Sequence, residues 1–191
     1  MLKSYYNNKL LEAGCDEVGR GCIAGPVVAA SIIFPKEYKN DSIKDSKKIS
    51  HKKRKGIEIE IKKHAISWSI GEIGVDQIDK ENILNASFSA MHLALDKLEV
   101  RPEFIIVDGN RFRRYENIDH ECIIKGDSKY LSIAAASILA KNYRDELMTN
   151  FSKKYSQYEW EKNFGYPTKS HRDGIKKYGV TDLHRKSFKL L

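Results

Sequence analysis

The hydrophobic positions along the chain change period several times, and each change marks an element. Residues 10–18 read as a short strand ending in acids, and residues 27–34 form a nearly continuous β-branched and apolar run, the pattern of a strand buried on both faces. Gly19, Arg20, Gly21, Gly25 and Pro26 predict a turn between them. Ser50 is placed to cap a lysine-rich helix running to about Lys63, with Ile57 and Ile61 one turn apart on its inner side. Ile66, Trp68 and Ile70 then alternate with polar residues, which is strand periodicity. Across residues 76–98, Ile83, Leu84, Phe88, Met91, Leu95 and Leu98 recur at helical spacing. Residues 104–107 are a short β run stopping at Asp108-Gly109, and residues 121–124 give another brief strand. Gly126-Asp127-Ser128 leads into a long helix through Ile133, Ile138, Leu139, Tyr143, Leu147 and Phe151. Two short helical patterns, residues 170–178 and 181–187, follow Gly165-Tyr166-Pro167-Thr168. Strands first, then strands alternating with helices, predict an α/β protein with a mixed sheet flanked by helices.

Composition narrows what such a sheet serves. The 191 residues contain no internal repeat, low-complexity tract or Pro/Gly-rich linker, so the chain reads as one compact unit with a C-terminal appendage. A hydrophobic content of 41% supports a core and argues against a disordered basic tail. The longest apolar run, residues 22–34, is broken by Gly25 and Pro26 and is too short to span a bilayer. Leu10 and Leu11 run straight into Glu12, which leaves no apolar signal-peptide segment. Cys15, Cys22 and Cys122 are odd in number and lack CxxC spacing, so free thiols in a reducing cytoplasm are expected. Lys+Arg 34 against Asp+Glu 26 gives +8, which points to a polyanionic partner without separating an enzyme on nucleic acid from a passive binder.

The acids carry more information. Asp16 and Glu17 close one β run and Asp108 closes another, and in open α/β sheets functional groups gather beyond the carboxyl ends of strands. Asp127, just before the long helix, gives a third location. Converging carboxylates repel one another, and a hard divalent cation such as Mg²⁺ or Mn²⁺ relieves the repulsion through oxygen-only ligation. Taken singly, Asp127 reads equally as a helix cap and Asp108 as a turn residue. Neighbours in a regular strand face opposite sides, so Asp16 and Glu17 share one site only if the chain bends, for which Gly19 and Gly21 provide.

Other motifs are weaker. Residues 14–21 resemble a phosphate-binding loop only superficially, since Arg20 and Gly21 replace its Lys and Ser/Thr and two acids lie inside it. His51, His64, His92, His120, His171 and His184 form no HxH or HExxH pair and read as surface or satisfied polar residues. Residues 52–55, Lys-Lys-Arg-Lys, read as a solvated helix face.

Taken together and in order, these segments resemble ribonuclease HII. The resemblance rests on residues 14–21, Gly-Cys-Asp-Glu-Val-Gly-Arg-Gly, followed by Ala24-Gly25-Pro26-Val27-Val28-Ala29-Ala30. Further along come Asp45-Ser46-Lys47-Lys48, Val107-Asp108-Gly109, Lys125-Gly126-Asp127-Ser128-Lys129 and residues 134–141, Ala-Ala-Ala-Ser-Ile-Leu-Ala-Lys. Arg144-Asp145, Gly165-Tyr166-Pro167-Thr168 and His184-Arg185-Lys186-Ser187-Phe188 complete the series. Ribonuclease HIII lacks the Gly-Arg-Gly signature, which favours type HII.

The resemblance implies an RNase H-like fold: a five-stranded mixed sheet flanked by helices, with residues 1–155 as the catalytic domain. Residues 156–191 would be a C-terminal helical segment packed on that domain and contributing Tyr166. It implies cleavage of the RNA strand in RNA/DNA hybrids and incision 5′ to a single ribonucleotide in duplex DNA. Carried over by motif, Asp16, Glu17, Asp108 and Asp127 are the metal-binding catalytic acids, holding two Mg²⁺ or Mn²⁺ ions. Gly19, Arg20 and Gly21 would read the ribose 2′-hydroxyl through backbone contacts, the means by which proteins tell RNA from DNA. Tyr166 would stack on the neighbouring deoxyribose, with Lys47, Lys129 and Arg20 as candidates for phosphate contacts. A cytoplasmic monomer without membrane partners is the default expectation. Thr181-Asp182-Leu183 stands where a Pro-rich stretch is common, which leaves any partner role of the C-terminus open. The rivals are a noncatalytic basic nucleic-acid-binding protein and a metal nuclease of the same fold acting on DNA.

Overall fold

The computed structural model describes residues 2–43 and 50–191; Lys47, expected to contact phosphate, lies outside the described residues. Five strands, β1 (Glu12–Val18), β2 (Val27–Ile33), β3 (Ser67–Ile73), β4 (Phe104–Asp108) and β5 (Asp119–Ile123), form one sheet in the order β3-β2-β1-β4-β5. β1, β2 and β3 pair antiparallel, whereas β4 and β5 run parallel to β1. The mixed sheet matches the expectation from the hydrophobic pattern. β2 is buried along its whole length because both faces of the sheet are covered. Val27, Ala29 and Ile33 pack with α2 (Val75–Asp96), while Val28, Ala30 and Ile32 pack with α1 (His51–His64) and α3 (Leu131–Lys154).

The alanine-rich face of α3 lies directly on β1, and Gly14 permits the approach: a Cβ there would fall 2.4 Å from Ser132 Oγ. After α3 come a 3₁₀ turn (Ser156–Tyr158), a single helical turn α4 (Trp160–Asn163) and α5 (Lys169–Tyr178). Tyr158, Trp160 and Ile175 pack against Ile23, Ala24 and Met148, so the end of the chain shares a core with the β1–β2 turn. Among the described residues, no helix is long and apolar enough to cross a membrane.

Three expectations need correction. Residues 181–187 are turns rather than a helix, because their backbone is engaged by residues 23–25: Gly25 N donates to Leu183 O at 2.8 Å and Arg185 N to Ile23 O at 2.9 Å. The helix expected over residues 76–98 is interrupted at Asn82 (φ 66°), whose Oδ1 accepts from the amides of Leu84 and Asn85 and restarts the helix as an internal cap. Ser50 stands at the N-cap of α1, but its side chain makes no capping bond.

Candidate active site

β1 and β4 pair in register as far as Cys15 opposite Val107, so Asp16 and Asp108 are the next residues on two adjacent strands. Both strands end at the same rim of the sheet, which brings together acids far apart in sequence. Side chains alternate along β1, so Asp16 emerges on the α3 side, where Ser137 lines the same cleft. Glu17 emerges on the α2 side, beside Ser87, Phe88 and Met91. The expected bend is not in the strand, which pairs regularly with β2 through Val18. At the sheet rim an acid from either face reaches the same opening.

Asp16, Glu17 and Asp108 line one cleft of about 250 Å³ together with residues 18–21, Ser137, Lys141 and Tyr166. Burial pushes the Asp16 carboxyl well above its ordinary range, and repulsion from Glu17 and Asp108 pushes it further; Ser137 and the Glu17 amide oppose them. Burial also raises Glu17, against the pull of Arg20, which sits 3.0 Å away. Asp127 sits in the 3₁₀ turn Gly126–Ser128, buried at 6% exposure, and does not line this cleft. That turn is tethered to the site, since Gly126 N donates to Asp108 Oδ1 at 2.6 Å. The N-cap position of α3 is Tyr130, three residues beyond Asp127.

Among the described residues, no three His, Cys, Asp or Glu side chains already form an ion cage. The donor set nonetheless fits a hard divalent cation: the acids present oxygen only, repel one another, and have drawn in the Arg20 guanidinium as a counter-charge.

The Gly-Arg-Gly segment forms the second wall of the cleft. Gly19 has φ +96°, and a Cβ there would lie 2.3 Å from Arg144 Nε, so only glycine fits. A Cβ on Gly21 would sit 4.0 Å from Tyr166 Cε1, which sets the tyrosine ring opposite the segment. Tyr166 is 38% exposed, and burial raises its pKa. Lys129 is exposed two residues beyond Asp127 and does not line the cleft.

Beneath the tyrosine lies a buried chain of rings. His171 Nδ1 donates to Tyr166 O at 2.9 Å, which leaves His171 Nε2 to accept from Trp160 Nε1 at 3.0 Å. His184 Nδ1 accepts from Thr181 N at 2.9 Å, so its Nε2 carries the proton and faces His171 Nε2 at 3.2 Å. Both histidines are neutral in this arrangement. Burial, with His171 alongside, lowers His184 to about 4.

Sequence reasoning assigned no role to Ser137 and Lys141, which line the cleft, or to Arg144 and Arg185, which are wholly buried behind the Gly-Arg-Gly loop. For Ser137, Lys141 and Arg144 the signal was polar or charged residues recurring at i, i+4 and i+3 along an otherwise apolar stretch of α3, whereas Arg185 lies outside any helix and carries no such pattern.

A mixed sheet in this strand order, with acids at the rim of its two central parallel strands, defines the RNase H-like class. Solved structures share the fold: ribonuclease H2 from Pyrococcus horikoshii OT3 superposes with a TM-score of 0.80 at 22% identity, covering 94% of each chain. Bst-RNase HIII in complex with Mn²⁺ gives 0.73 at 21% identity, over 95% of this chain and 68% of that one. The chain belongs to the ribonuclease HII family, whose sequence profile matches residues 13–191. Ribonuclease HII of Bacteroides thetaiotaomicron is 53% identical over 191 residues, all of this chain and 96% of that protein. The chain is accordingly an endoribonuclease, a phosphodiester hydrolase of the type 2 ribonuclease H group.

Proposed function

We propose that this ribonuclease cuts the RNA strand of RNA/DNA hybrids and incises duplex DNA on the 5′ side of a single embedded ribonucleotide. One observation carries the reading: Asp16, Glu17 and Asp108 share a cleft with Gly19, Arg20, Gly21 and Tyr166, so chemistry and sugar recognition meet in one place. The scissile phosphate lies against the acids. Backbone groups of Gly19, Arg20 and Gly21 approach the 2′-hydroxyl closely, and Tyr166 stacks on the next deoxyribose.

Asp16, Glu17, Asp108 and Asp127 are the residues that would hold Mg²⁺ or Mn²⁺. When bound, two such ions supply activation of the attacking water and stabilisation of the leaving 3′-oxygen in an in-line displacement. The Glu17 amide donates to Asp16 Oδ1 at 2.7 Å and Ser137 favours the charged form of Asp16, while Arg20 neutralises Glu17 until the site is loaded. The products are 3′-hydroxyl and 5′-phosphate ends. Arg20, Lys47 and Lys129 hold backbone phosphates, which makes binding weaken with salt. Three free cysteines accord with a cytoplasmic setting, and a monomer suffices because the cleft is built from one chain.

The test is a duplex carrying one ribonucleotide, incubated with Mg²⁺ or Mn²⁺ and then with chelator, beside an all-deoxy duplex. A single metal-dependent cut 5′ to the ribonucleotide, ending in 3′-hydroxyl, is expected. Intact strands in every lane would favour a noncatalytic binder, and cutting of the all-deoxy duplex would favour a DNA nuclease of this fold.

A further inference from the structure

We propose that Lys141 is the ligand of a second phosphate, the one joining the ribonucleotide to the deoxynucleotide on its 3′ side. The inference rests on the reading above, which sets the ribose at Gly19–Gly21 and the following deoxyribose at Tyr166; the linking phosphate then lies between those groups. Among the described residues, Arg20 and Lys141 are the cations that line this cleft, and Arg20 is already paired with Glu17 at 3.0 Å. Lys141 lines the cleft with the acids and Tyr166, and its Nζ is 6.0 Å from the Tyr166 ring centre and 4.8 Å from that of Phe164.

The ammonium is held ready. Asp145 Oδ1 accepts from Lys141 Nζ at 2.6 Å, while Asp145 Oδ2 accepts from buried Arg54 at 2.7 Å. An ammonium with three donors keeps capacity for an anion after bonding to Asp145. Packing over two rings restricts the side chain to one region, so little rotamer freedom is left to lose on binding. Lys141 is 21% exposed, enough for a phosphate oxygen to reach it and little enough for the contact to be poorly screened.

The experiment measures binding by fluorescence anisotropy in EDTA, where no cutting occurs, with wild type, Lys141→Met and Lys141→Arg. Each meets a one-ribonucleotide duplex with normal phosphates and the same duplex with a neutral methylphosphonate 3′ to the ribonucleotide. Wild type should bind the neutralised duplex roughly tenfold more weakly, as loss of a charge-assisted contact implies. Lys141→Met should bind the normal duplex roughly tenfold more weakly, lose nothing further on the neutralised one, and show a salt slope shallower by about 0.9. Lys141→Arg should restore most of the affinity. Additive losses, or an unchanged slope in Lys141→Met, would overturn the assignment. The wild-type arm keeps the test valid even if Lys141→Met folds poorly, because an unaltered affinity there also sinks it. A wild type that never cuts 5′ to the ribonucleotide would instead overturn the underlying reading.

Discussion

Arg144 and Arg185 are both fully buried and donate to the same acceptor, the carbonyl oxygen of Pro26, at 2.8 and 3.1 Å. Each makes two further bonds to carbonyls, Arg144 to those of Ala24 and Phe164 and Arg185 to those of Arg20 and Gly25. Two like charges are thus held together by peptide dipoles, and burial with Arg144 alongside lowers Arg185 to about 10. The loop carrying Arg20 and Gly21 is shaped by this pair. Replacing either arginine with methionine strands several buried carbonyls and should cost about 3 kcal/mol in urea unfolding. Lysine, which lacks the planar fork, should recover only part of it. A loss below about 0.5 kcal/mol in both methionine variants would show that the guanidiniums do not brace the loop.

Asp108→Asn separates charge from structure at the acidic rim. The amide oxygen can still accept from Gly126 N, so the turn carrying Asp127 stays tethered. Cutting should be abolished. Because repulsion from Asp108 helps raise Asp16 and Glu17, their charged forms destabilise the metal-free fold at neutral pH, and removing one charge relieves it. Thermal melts in EDTA should show the variant a few degrees more stable than wild type, a shift expected from about 1 kcal/mol. Added Mn²⁺ should then stabilise wild type more than the variant. Full activity in Asp108→Asn, or an equal response to Mn²⁺, would remove Asp108 from the site.

Much of this was legible because periodicity reports burial. β2 alternates its contacts between two helical layers, and a strand covered on both faces must be apolar throughout, as residues 27–33 are. The acids at 16, 17 and 108 could be placed at one rim because they end strands, and parallel pairing of β1 with β4 did the rest. What stayed hidden depends on contacts between distant segments. Residues 181–187 have helical spacing, yet their backbone bonds go to residues 23–25, which no local pattern reveals. Asn82 breaks α2 through its own side chain. Arg144 and Arg185 look like surface charges in sequence, because their partners are carbonyls, and every residue has one.

Tyr166 presents its ring to the cleft opposite Gly21, and the ring and the hydroxyl of the side chain can be tested apart. Tyr166→Ala removes the stacking surface and should slow cutting at a single ribonucleotide roughly 10- to 100-fold, the range expected for loss of one stacked group. A continuous hybrid offers ribose contacts along its length and should suffer less. Tyr166→Phe keeps the ring and should stay within a few-fold of wild type on both substrates. Equal losses on the two substrates in Tyr166→Ala would argue against a role at the junction.

The histidine chain beneath Tyr166 should make stability pH-dependent. His184 is lowered to about 4 in the fold, against an unfolded value of about 6.5. A depressed histidine favours the neutral form, so its contribution is complete above the unfolded value and is lost as pH falls from about 6.5 towards 4, where the unfolded chain binds the extra proton. Protonation would place a donor on Nδ1 against the Thr181 amide, which already donates to that atom. The groups around the pair are His171, Tyr158, Trp160 and Thr181, with Asp182 favouring the charged form of His184 and Arg172 opposing that of His171. Asp16 and Glu17 respond with the opposite sign, since raised carboxyls gain stability when protonated, so the difference between two proteins is the informative quantity. His184→Gln should be less stable than wild type by about 2 kcal/mol at pH 8 in urea, with the gap closing by pH 4. Curves that run parallel from pH 8 to pH 4 would mean that His184 titrates as it does in the unfolded chain.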